Sequence, residues 1–179
     1  MIEMSRLTDY RYYAAVIRGL IESAEIVETA LGQTPPEVWR SGLSATEVSK
    51  RQAIDAEAEF LADLDETASI RHRSAEPFFG SGPLTTGTVL GLLYIHVGSA
   101  LGGLHLLRVA RTAPWWRPER EHMLLRPYGV RLHERWRAVL GALEQLDPDD
   151  RNDAVDAART GFDVFQRCLV DQLEADGPR

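Results

Sequence analysis

The run from Pro83 to Leu107 constrains this chain more than any other feature. Its twenty-five residues include no Asp, Glu, Lys or Arg and carry five glycines, although 26% of the whole sequence is charged. A stretch of that length and polarity leaves water in one of two ways: it crosses a bilayer, or it lies at the centre of a helical bundle, where a helix is apolar all round. His96, His105 and several Ser and Thr interrupt the run, and the segments around it are amphipathic. We therefore expect the buried central helix of an all-α fold, with no membrane span.

The flanking segments supply the other helices. Between Thr8 and Leu31, the apolar residues Tyr13, Ile17, Leu20, Ile21, Ala24, Val27 and Leu31 recur at three- and four-residue steps, and Gly32 follows as a stop. Ser44 with Glu47 three residues on has the capping-box pattern for a second helix, bearing Val48, Phe60, Leu61 and Leu64 inward and ending before Pro77. Thr85 or Thr86 can cap the central helix, which should reach about Arg111. Pro118 suits the first turn of a short helix to about Leu125, and Tyr128 to Leu146 reads as the next, with Val130, Trp136, Val139, Leu140 and Leu143 inward. Asp147-Pro148 opens a last helix carrying Ala154, Ala158, Phe162, Phe165 and Leu169 on its inner side. No segment alternates with a period of two, so no sheet is expected, and 179 residues fit a single domain, 1–179.

Charge and cysteine content narrow the partners. A formal net charge of −7 disfavours a general grip on phosphates, so nucleic acid is not an expected partner. Cys168 is alone, which rules out an internal disulfide and suits a reducing compartment; the N-terminal MIEMSRLTDYRYY lacks the basic-then-apolar pattern of a secretory signal, so the cytoplasm is the expected location. Lys50 is the only lysine among 20 basic residues. A composition bias accounts for that, and no role is assigned to it from sequence.

The glycines of the central run are patterned. At about 100° per residue, Gly87, Gly91, Gly98 and Gly102 fall within about 60° of one another, with His105 on the same stripe. Each interior glycine costs roughly 0.5–1 kcal/mol relative to alanine, so four on one face imply that something approaches the backbone closely. A second helix packed on the stripe satisfies that requirement, as does a flat ligand, and Gly103 beside Gly102 adds the freedom to bend.

The segment Leu92-Leu93-Tyr94-Ile95-His96-Val97-Gly98-Ser99-Ala100-Leu101-Gly102-Gly103 resembles the YVLEGSxLGG motif of bacterial biliverdin-producing haem oxygenases. Similarity extends to Leu7–Leu31, to Arg126–Trp136 and to Ala157–Phe165. The resemblance implies a haem oxygenase-like helical bundle whose long glycine-rich helix is the distal wall. It implies Gly98, Gly102 and Gly103 against the distal face of haem, Ser99 on the oxygen-binding side, and Gly98 and Ser99 closest to catalysis. Haem would be cofactor and substrate, the products biliverdin, carbon monoxide and iron, and an electron donor would be required. Arg159 or Arg131 could hold the propionates, on charge alone.

In that family the proximal histidine precedes the helix that begins here near Thr8, whereas the first histidine in this sequence is His72; the Glu of the distal motif is Val97. Three readings stay open. The chain is a true oxygenase shortened at its start, or iron is held by another histidine, His105 on the stripe or His96 on the side of Ser99 and Gly103, or the fold is kept without the reaction. In the last case the bundle binds another planar apolar molecule or serves as an interaction protein, as the haem-free thiaminase-like members warn. A hydrogen-bonded core histidine is the commoner use of a lone histidine in an apolar helix.

Other chemistries are weakly encoded. Glu119 and His122 have the spacing of a di-iron half-site without a second copy, and Cys168 has no histidine partner at a readable distance, so a buried inert thiol is expected. Trp115-Trp116 with Arg111 and Arg117 could pack at a helix end or form a patch for a partner, which leaves a homodimer open.

Overall fold

The uncharged run folds as the long helix its composition requires. The computed structural model describes residues 2–35, 38–39, 42–64, 76–79, 84–117 and 123–175, and every regular element among them is helical. In chain order these are α1 (Tyr10–Gly32), α2 (Ala45–Val48), α3 (Arg51–Leu64), α4 (Glu76–Phe79), α5 (Thr86–Ala110), α6 (Leu132–Glu144) and α7 (Pro148–Ala175), with short 3₁₀ turns before α1 and α6.

The helices begin where side chains satisfy their first amides. Asp9 accepts from the amides of Arg11 and Tyr12 ahead of α1, and Thr85 accepts from that of Thr88 ahead of α5. At α2 both halves of the capping box form between Ser44 and Glu47. Asp147 accepts the amide of Asp150 at 2.9 Å, and Pro148 occupies the first position of α7, where its missing N–H leaves no bond unmade.

The central helix α5 lies between α7, α6 and α1. It is long and apolar enough by length and composition to cross a bilayer, and 61% of its most apolar window is buried among the other helices, as a bundle's core helix is too. Val89, Leu90, Leu92, Leu93 and Val97 are fully buried and meet Val27 and Leu31 of α1 and Val164 and Cys168 of α7 in one core. A second cluster at the far end joins Leu7, Tyr13, Ile17 and Leu125 to Trp115. Trp115 stacks on Tyr13 at 4.4 Å and donates its indole N–H to the Thr8 carbonyl at 2.9 Å, so this indole is packing material. Buried polar links, Gln172 to Glu22 at 3.1 Å and Tyr13 to Glu57 at 3.1 Å, hold α7 and α3 against α1.

Three sequence expectations change. Val130, placed inward by periodicity, is 99% exposed: Gly129 at φ +52° starts a 3₁₀ turn, and the α6 register begins only at Leu132. Phe162, also placed inward, is 60% exposed, because the buried stripe of α7 follows the small residues Ala154, Ala157 and Gly161 that let α5 come close. The second helix is interrupted at Ser49, whose φ −60° and ψ 138° are extended, so α2 and α3 are separate and Lys50 sits in the joint. Of the short helix expected from Pro118 to Leu125, a 3₁₀ turn at Met123–Leu125 is described, and the rest lies outside the described residues.

Candidate functional site

The glycines of α5 divide between two uses. A β-carbon at Gly87 or Gly91 would overlap the carbonyl oxygen of Asp150 or Ala154, so the main chain of α7 occupies that half of the stripe. Gly103 faces the main chain of the Met123–Leu125 turn, where a β-carbon would come within 2.6 Å of the Leu125 carbonyl oxygen. Helix packing thus explains these three. Gly98 and Gly102 are different: a β-carbon at Gly98 would meet only the Trp136 ring, at 3.1 Å, and one at Gly102 would meet nothing within 4 Å.

What lies over that second half is a groove. Gly98, Ser99 and Gly102 floor a cavity of about 390 Å³ walled by Trp136 of α6 and by Phe162 and Phe165 of α7. Tyr94, its ring 5.1 Å from that of Trp136, also lines a cavity of about 540 Å³ between Leu140 and Leu143 of α6 and Ala154 and Ala158 of α7. Both volumes fall in the range of small-molecule sites, and aromatic walls over bare backbone suit a flat apolar guest.

The sequence-derived site residues separate in space. Gly98, Ser99 and Gly102 come together on the groove floor, whereas Gly103 is turned to Leu125 and does not reach the groove. His96 is fully buried, with Nε2 3.1 Å from the Val48 carbonyl oxygen and 3.5 Å from a carboxylate oxygen of Glu28. His105 is exposed and lines neither cavity. No described histidine therefore lines the groove. Arg159 pairs on the surface with Asp156 at 3.4 Å and Arg131 is exposed, so neither is among the lining residues. Val97, which replaces the Glu of the resembled motif, is a core side chain. His72, Glu119 and His122 lie outside the described residues, and Cys168 is fully buried. Among the described residues no cluster of His, Cys, Asp and Glu could hold a metal ion.

Behind Ser99 is a polar network that sequence reasoning missed. Lys50, 4% exposed, donates from Nζ to Ser99 Oγ at 2.7 Å, and its backbone N–H is held by the Glu28 carboxylate. Because α2 stops at Val48, that residue's carbonyl is free to accept from Tyr128 Oη at 2.6 Å and to face His96 Nε2. Arg135 lies over the Tyr128 ring, 4.7 Å from its centre. Burial pulls the Lys50 amine down to about 7 against the opposing pull of Glu28. Burial and the Lys50 charge push His96 down to about 4, so its ring is neutral near pH 7, Nε2–H donates, and Nδ1 has no partner among the described residues. Burial alone would raise the Glu28 carboxyl, but the hydrogen bonds from His96 and the Lys50 amide outweigh it and hold it below its ordinary range. Burial, with the Glu28 charge, raises the Tyr128 phenol well above its usual value. The one available sequence signal was that Lys50 is the only lysine in the chain.

Comparison with known proteins gives no match to a family model, to a curated protein or to a solved structure.

Proposed function

We propose that this chain binds a flat, apolar small molecule in the groove between α6 and α7, against the bare backbone of Gly98 and Gly102. The carrying observation is the open half of the glycine stripe: interior glycine weakens a helix, Gly102 faces empty space, and aromatic rings stand on either side of it. The motif around Gly98-Ser99 nominates haem or a related tetrapyrrole as the guest, in a bundle of the haem oxygenase-like kind.

The lining residues suit the faces of such a ring better than its metal. Trp136, Phe162 and Phe165 offer stacking surface, but no described histidine stands in the lining, since His96 is turned to Val48 and His105 is on the surface. The described lining holds no histidine for the iron, so oxidative ring cleavage is not part of the proposal. A protein that carries a planar molecule without reacting its iron is the reading this groove supports.

Haem and metal-free protoporphyrin titrated in parallel test this reading. Recognition through ring faces predicts saturable binding of both with affinities within about tenfold. Failure of both to bind overturns it. Haem bound far more tightly, with the spectrum of histidine-ligated iron, would also overturn it and restore the oxygenase reading.

The plugged half of the stripe favours a second reading for that half alone. Gly87 and Gly91 serve close packing of α5 on α7.

A further inference from the structure

The groove floor is polar at one point with unusual backing. Among the described lining residues of the Gly98–Gly102 cavity, Tyr94, Ser99 and Trp136 carry hydrogen-bonding side chains. Ser99 differs from the other two in what stands behind it. The Lys50 amine lies 2.7 Å from its hydroxyl oxygen, and Lys50 is buried and does not line the cavity. A hydroxyl that fronts an apolar cavity, with a hidden amine in hydrogen-bond reach, is the arrangement of a nucleophile and its base.

We propose that Ser99 and Lys50 act as nucleophile and general base on carboxylic esters whose acyl part is flat and apolar enough to enter the groove. The proposal rests on the groove being a ligand site and adds a reaction to it. In the first step the neutral Lys50 amine takes the Ser99 proton as Oγ bonds to the acyl carbon. The ammonium then gives that proton to the departing alcohol as the ester C–O bond breaks, leaving an acyl-serine. In the second step Lys50 takes a proton from water, the water oxygen bonds to the acyl carbon, and Ser99 Oγ leaves with the proton. The sum is ester plus water giving acid plus alcohol, with no change of oxidation state.

The surroundings of the pair suit this chemistry. Gly102, one turn on from Ser99, adds no side chain to the groove floor beside that hydroxyl. Tyr94 and Trp136 are the other hydrogen-bond donors of the lining, the groups from which the developing oxyanion would draw its stabilisation. The groups that face the amine are Glu28, His96 and the Tyr128 ring, its centre 5.9 Å from Nζ, with Arg135 lying over that same ring; burial lowers the amine to about 7, so near-neutral pH leaves a proton-accepting fraction. The Ser99 hydroxyl also bonds back to the His96 carbonyl at 2.9 Å, a local helix contact that opens when the hydroxyl turns to the amine.

The test is to expose the full chain to an aryl fluorophosphonate and follow intact mass, then map the modified peptide. The expected result is one adduct on Ser99, with an Oγ–P bond formed and fluoride released. It should be absent in Ser99→Ala and slowed roughly a hundredfold in Lys50→Arg, which keeps a cation but cannot accept the proton. As Lys50→Arg could fail to fold, the wild-type rate is also read against pH: it should rise through about pH 7 and level off above it. Absence of modification at Ser99, or a rate without that rise, overturns the dyad. Protoporphyrin binding on the same preparation separates the two ideas: binding without modification removes the dyad and leaves the ligand site, and loss of both removes both.

Discussion

Lys50 shows what a single side chain contributes at two levels. Its ammonium is unwelcome inside the bundle, so the folded chain releases that proton at about pH 7 while the unfolded chain keeps it to about pH 10.4. Between those values the unfolded state holds one proton more, so the unfolding free energy rises with pH by about 1.4 kcal/mol per unit. Below about pH 7 both states are protonated and the slope vanishes. Urea unfolding at several pH values should show this rise in the wild type and not in Lys50→Met; equal slopes would contradict the burial of a titrating amine. Phe162 makes the opposite prediction. At 60% exposure it contributes little to the core, so Phe162→Ala should cost under about 1 kcal/mol of stability, yet as a groove wall it should weaken porphyrin binding severalfold. A large loss of stability with unchanged binding would reverse those assignments.

At the scale of elements, the glycines of α5 are separable by substitution. Gly102→Ala adds a methyl group where nothing stands within 4 Å and removes an interior helix glycine, so it should stabilise the chain by about 0.5–1 kcal/mol. Gly91→Ala forces a β-carbon into the Ala154 carbonyl and should destabilise by about 1–3 kcal/mol or more. Thermal unfolding of the two variants distinguishes them by sign; similar effects would mean that both halves of the stripe do the same job. Three helix starts were legible because caps are local: Ser44, Thr85 and Asp147 each sit ahead of the amides they satisfy, and Asp9, the cap of α1, came only with the structure. The faces were less legible. Apolar periodicity put Phe162 and Val130 inward, whereas the inner stripe of α7 is chosen by small residues that admit α5, and the register of α6 is reset by Gly129.

Over the whole molecule, sequence reasoning found the bundle and half of the candidate site. Gly98 and Gly102 share one stripe of one helix, so helical geometry alone could group them, and the resemblance added Ser99. Glu28, Lys50 and Tyr128 come from three separate parts of the chain and are gathered behind Ser99, which Lys50 alone of them contacts, only through tertiary packing that no spacing rule encodes. His96 and His105 are candidates that a linear reading cannot choose between, and the fold turns one to the Val48 carbonyl and leaves the other at the surface. The central claim is that the open half of the α5 stripe receives a thin apolar guest. It is tested most directly by titrating metal-free protoporphyrin into wild type, Gly102→Ala and Gly102→Leu, with cooperative unfolding confirmed for each. The account predicts comparable saturable binding for the first two and a loss of roughly tenfold or more for the folded leucine variant. Undiminished binding by Gly102→Leu would contradict it.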